Sequence, residues 1–90
     1  MQKKILIDAS SFTDVKETHA ALKAAIGSED YIGSNLDALH DALTSIGRRT
    51  VITVKNYRAA ETNLGEYAEK LAFVLAVSAS SNPMLSVVFE

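Results

Sequence analysis

The run Val51-Ile52-Thr53-Val54 carries an apolar or β-branched residue at every position. That is the pattern of a strand enclosed on both faces, not of one alternating between core and water. Two runs of similar character stand near the ends of the chain, Ile5-Leu6-Ile7 and Leu85-Ser86-Val87-Val88-Phe89. Three such strands separated by long helical stretches predict a parallel sheet flanked by helices, because parallel neighbours need helical crossovers. Before the central run, Phe12, Val15, His19, Leu22 and Ile26 follow the i, i+3, i+4 rhythm of one buried helix face, and Gly27 supplies a stop. Leu36, Leu39, Leu43 and Ile46 repeat the rhythm, ended by Gly47. After it, Asn56 to Asn63 predicts a short helix capped by Asn56, and Gly65 to Ala79 a longer one. Within the latter, Leu71-Ala72-Phe73-Val74-Leu75-Ala76-Val77 is apolar on all sides, which predicts the most buried helix of the fold, with Ser80-Ser81-Asn82-Pro83 as the turn that ends it. The expected order is βααβααβ, an α/β fold with a three-stranded parallel sheet and four helices.

Composition narrows the function classes. The 90 residues, 48% hydrophobic and 22% charged, are those of one ordinary globular domain spanning 1–90, which excludes wholesale disorder. No apolar run reaches the length of a membrane span, and Met1-Gln2-Lys3-Lys4 leads into only three apolar residues, too few for a signal peptide; a cytoplasmic location is expected. Zero cysteines exclude thiolate metal sites, redox pairs and cysteine nucleophiles. The basic pairs Lys3-Lys4 and Arg48-Arg49 make no nucleic-acid footprint on a chain of net charge −2.

Chemistry concentrates in residues 24–47, which hold the carboxylates Glu29, Asp30, Asp37 and Asp41 and no lysine or arginine. Ser34 or Asn35 can cap the helix that follows, placing Asp37 in its first turn, where the helix dipole favours an anion. With the leucines turned to the core, Asp37, His40, Asp41 and Thr44 fall on the opposite, exposed face. Asp37 and Asp41 are like charges one turn apart, a pair that costs roughly 0.2–0.5 kcal/mol in an isolated helix. Such a face suits a cationic partner, and it equally suits a solvated surface. Asp37, His40 and Asp41 could also offer three metal ligands from one helix, the basis of a small metal-dependent hydrolase. His40 and Asp41 point roughly 100° apart, too far for an acid/base pair, and no serine or cysteine motif accompanies them. His19 reads as a hydrogen-bonded core histidine. No catalytic constellation is visible, so a non-enzymatic role is expected.

The stretch Tyr31-Ile32-Gly33-Ser34-Asn35-Leu36-Asp37-Ala38-Leu39-His40-Asp41-Ala42-Leu43-Thr44 resembles the signature of the barstar family: tyrosine–x–glycine–x–asparagine–leucine–aspartate–alanine–leucine–tryptophan–aspartate, followed by a leucine and a threonine. The resemblance is specific over these residues and weaker over the whole chain. It implies the barstar fold and the activity of an intracellular inhibitor of secreted, cationic ribonucleases, acting one to one, with no cofactor, no metal and no direct contact with nucleic acid or membrane. It implies, further, that Asp41 enters the enzyme's phosphate-binding site as a phosphate mimic and that Asp37 pairs with basic groups near the cleft. Tyr31 would pack against the enzyme's catalytic histidine, while Gly33 and Asn35 bring the loop backbone close to the enzyme; His40 and Thr44 complete the surface. Two departures stand out. His40 replaces the family's tryptophan, and Val77 falls where an ungapped alignment places a partner-contacting glutamate, which points to a target ribonuclease different from barnase. The other reading of the same face is an acidic interaction module that regulates a non-nuclease partner.

Overall fold

The protein is described from a computed structural model, which defines residues 2–27 and 31–90. Glu29 and Asp30, two carboxylates of the acid-only segment, lie outside the described residues. Strand β1 (Lys3–Asp8) leads through a single 3-10 turn (Ala9–Ser11) into helix α1 (Val15–Ile26). Then come α2 (Leu36–Thr44), β2 (Thr50–Lys55), α3 (Tyr57–Leu64), α4 (Glu66–Ser81) and β3 (Leu85–Phe89). The strands form a parallel sheet in the order β1-β2-β3, with Ile5 opposite Ile52 and Ile52 opposite Val87. The βααβααβ order predicted from the sequence is therefore the order observed.

The sheet departs from expectation in its second face. Ile5, Ile7, Ile52, Val54 and Leu85 are buried, whereas the alternate positions are open: Leu6 is 66% and Val88 45% exposed. All helices pack on one side, so the consecutive β-branched residues of β2 reflect strand propensity and partial cover by the two flanking strands, not enclosure on both faces. The covered side meets Phe12, Leu22, Leu39, Leu43, Leu71 and Leu75 in one core.

Helix ends follow local chemistry. Asp14 caps α1 by accepting from the Glu17 amide at 2.7 Å, and Gly27 closes it at φ 62°, a left-handed conformation that costs a glycine little. Phe12 precedes α1 and is buried, while Val15, expected on the buried face, is partly exposed in its first turn. The second helix stops at Ser45, two residues before Gly47: the next amide, Ile46, turns to the Leu43 carbonyl three residues back, and the Ser45 hydroxyl takes a share of the Asp41 carbonyl. Asn56 precedes α3 but does not cap it; it adopts φ 58° and sends its amide to Asp8 of β1 instead. Helix α4 runs to Ser81, through part of the expected turn, and is buried along one stripe only, at Ala68, Leu71, Leu75 and Ser78. Phe73, expected inside, is 69% exposed. An all-apolar run fixed the helix without fixing which side of it the core would take.

Candidate functional site

The loop before α2 is shaped by three features. Gly33 has φ 93°, which side chains with a β-carbon rarely adopt, so glycine is required for this entry into the helix. Asn35 is the N-cap, its Oδ1 accepting from the Ala38 amide at 2.7 Å. Lys23 of α1 reaches across, its ammonium 5.5 Å from the centre of the Tyr31 ring and 3.4 Å from Ser34 Oγ. The acid-rich stretch thus has a cation beside it in space that it lacks in sequence.

Tyr31 anchors this loop from below. It is only 4% exposed, and its hydroxyl meets Nδ1 of the buried His19 at 2.5 Å, while Nε2 of the same ring meets the Tyr67 hydroxyl of α4 at 2.6 Å. The arrangement that satisfies every proton has Tyr31 donating to Nδ1 and Nε2–H donating to Tyr67, whose less buried hydroxyl can turn its own proton to water. Burial raises both phenols above the ordinary tyrosine value, Tyr31 the more, and pulls His19 below the ordinary histidine value. His19 is therefore the hydrogen-bonded core residue that its spacing predicted, and it ties α1, the loop and α4 together.

On α2, Leu39 and Leu43 enter the core with Ala38 and Ala42. Asp37, Asp41 and Thr44 are exposed on the other side. Thr44 donates its hydroxyl to the His40 carbonyl at 2.8 Å, which leaves its oxygen as an acceptor at the surface. No hydrogen bond to the carboxylate of Asp37 or Asp41 is made among the described residues, and both anions face outward. His40 differs from its predicted exposure: it is half-buried at the seam with α4, its Nδ1 held at 2.8 Å from the buried Ser78 hydroxyl. Asp37 and Asp41 thus face solvent while the imidazole faces α4, and no cluster of three metal-ligating side chains exists among the described residues.

The face is held from behind by residues that the sequence did not assign to the site. Asn82, just beyond α4, donates its side-chain amide to the carbonyls of Leu43 and Ile46. Ser78 fixes His40, and Tyr67 completes the histidine network. Their only sequence signal is polarity at positions where α4 should be apolar or turning, which marks a buried polar link without naming its partner. No helix among the described residues is long and apolar enough to cross a membrane.

Comparison with known proteins matches residues 2–88 to the family described as "Barstar (barnase inhibitor)". The chain is also 36% identical, over 74 residues and 81% of each sequence, to the Bacillus subtilis (strain 168) protein named "Putative ribonuclease inhibitor YrdF".

Proposed function

Since the chain belongs to the barstar family, we propose that it is a cytoplasmic, non-catalytic inhibitor of a secreted cationic ribonuclease, which it blocks in a complex of one inhibitor per enzyme. The loop and helix from Tyr31 to Thr44 enter the active-site cleft. A nuclease cleft must be cationic to hold phosphate, and an anion set in fixed geometry competes for the same site. The observation that carries this reading is the pair of outward carboxylates on α2, Asp37 and Asp41, neither hydrogen-bonded among the described residues, on a helix tied to α4 through His40 and to the residue after α4, Asn82. Rigid presentation matters because binding then loses little conformational entropy. Gly33 and Asn35 set the height of the loop backbone, and Thr44 adds an acceptor at the far end of the helix. Tyr31 is buried in the free protein, so its part is chiefly to hold the loop in place through His19.

The test is a titration of ribonuclease activity with the purified chain, against barnase and the secreted ribonucleases encoded in the same genome. Activity is expected to fall linearly to an equivalence point near one inhibitor per enzyme. Absence of inhibition at micromolar concentration across that set would overturn the reading and favour a regulatory partner that is not a nuclease.

A further inference from the structure

Helices α2 and α4 lie side by side and run in the same direction, since His40 meets Ser78 and, one turn on, Leu43 meets Asn82. By that register Val77 of α4 is level with Leu39 and Phe73 with Asn35, the N-cap of α2, so the two bracket the height at which Asp37 stands. Both are exposed, Phe73 at 69% and Val77 at 36%, and they sit one turn apart on the side of α4 away from its buried stripe. A phenyl ring left that open contributes little to the core, and it stands beside a helix face of carboxylates and a hydroxyl, whose nearest open apolar group in the chain is Ile32 of the preceding loop, 80% exposed. The one ring on α2, that of His40, is half-buried and engaged by Ser78. Specific interfaces combine an apolar centre with a polar, charged border, and the side chains that dominate their affinity are mostly aromatic or arginine. The exposed face of α2 supplies the charge and lacks the apolar part; α4, packed beside it, has the apolar part.

We propose that Phe73, with Val77 beside it, is the apolar anchor of the ribonuclease-binding surface, and that the occupant is the same ribonuclease held by Asp37 and Asp41, with an apolar patch bordering its cationic cleft. The inference rests on the inhibitor reading above and specifies which ribonucleases fit it. Lys70, exposed one turn before Phe73, ends the apolar strip, so the enzyme surface opposite it carries no cation. Helix axes that pack lie about 8–10 Å apart, so one enzyme covers both helices at once.

The experiment measures inhibition constants and rate constants for wild type, Phe73→Ser, Phe73→Leu and Asp41→Ala against barnase and the secreted ribonucleases of the same genome, at two salt concentrations. Phe73→Ser is expected to weaken binding roughly 10- to 100-fold. The loss should appear in the dissociation rate, with the salt dependence of association unchanged, because a neutral side chain does not steer. Phe73→Leu should retain most of the affinity, and neither change should move the thermal unfolding midpoint, since the ring is outside the core. If wild type inhibits, Asp41→Ala weakens it and Phe73→Ser does not, the anchor is overturned and the inhibitor reading stands. If wild type inhibits none of the enzymes, the reading falls and takes the anchor with it.

Discussion

Asn82 closes the C-terminal end of α2: its Nδ2 donates to the Leu43 carbonyl at 3.0 Å and to the Ile46 carbonyl at 2.9 Å. Its Oδ1 accepts from the Met84 amide at 3.0 Å, so one buried side chain joins the end of the acidic helix to the start of β3. Helix C-termini leave carbonyls without partners, and here a distant asparagine fills the need that a glycine motif would otherwise meet. Asn82→Ala leaves those groups buried and unpaired, at an expected cost of about 1–3 kcal/mol. Asn82→Asp should cost at least as much at neutral pH, because a carboxylate cannot donate to a carbonyl. Urea unfolding of the variants measures both; midpoints equal to wild type would show that α2 is held by its leucines alone.

His19 gives the fold an acid-sensitive limb. Burial, aided by the nearby Lys23 charge, holds its folded-state pKa below the ordinary histidine value of 6.5. Above that value the imidazole is neutral in both the folded and unfolded chain and stability does not depend on it. As pH falls below it, the unfolded chain takes up a proton that the folded one resists, and stability declines. The decline from this residue is expected to set in as pH falls through about 6.5. His19→Gln should be less stable at pH 7.5, having lost one of its tyrosine contacts, yet should lack this decline. Parallel denaturant curves at pH 7.5 and 5.5 for the two proteins decide it, and equal losses would place the acid sensitivity elsewhere.

The sequence was legible wherever a local pattern had a local cause. The strands, the helix order and the Asn35 cap depend on neighbours a few residues away, as does the outward set of Asp37, Asp41 and Thr44. What failed to be legible was decided by distant partners. Periodicity cannot choose a buried side for a helix that is apolar all round, so Phe73 was misplaced. Nor can it tell that β2 lies between two short edge strands with one open face. Asn56 is a common capping residue, but Asp8, across the sheet, claims its amide. At the site, His40 is turned toward α4 by Ser78, and Tyr31 is drawn inward by His19. Both links join residues far apart in the chain, and polarity alone announces no partner.

Asp8 and Asn56 hold the adjacent ends of β1 and β2. The Asp8 carboxylate accepts from Asn56 Nδ2 at 3.0 Å, and from the Ser10 amide and hydroxyl at 3.0 and 2.7 Å. These donors, Asn56 foremost, favour the charged form and lower the Asp8 pKa from 3.8 to about 2. The stabilisation is complete above the ordinary value and is lost as pH falls from about 4 toward 2. Asn56→Gly keeps the left-handed backbone and removes the amide, so it should move the Asp8 titration, followed by carboxyl-carbon NMR, back toward 3.8. An unmoved titration would assign the shift to Ser10 and the Lys55 charge.

Asp37 and Asp41 occupy opposite ends of the same helix dipole, and that difference ranks them. Asp37 lies in the first turn of α2, where the exposed amides stabilise an anion even without a partner. Asp41 opens the last turn, which contains no basic residue, so the helix carbonyls and the carboxylate there repel each other. A cation brought by a ribonuclease relieves that repulsion and sees the summed negative potential of both. In the free protein, Asp41→Ala is therefore expected to raise stability, and Asp37→Ala to lower it, each by about 0.3–1 kcal/mol. Toward the ribonuclease the order inverts: Asp41→Ala should cost about 2–5 kcal/mol of binding, more than Asp37→Ala, while Glu61→Ala on α3 should cost nothing measurable. Association with wild type should slow as salt rises, since attraction between the charges is screened over about 8–10 Å. The residue that the fold would gain by losing is then the one that the complex needs most. Denaturation and inhibition measured on the same three variants test this directly, and equal inhibition losses from all three would show that the acidic face of α2 is not the surface that meets the enzyme.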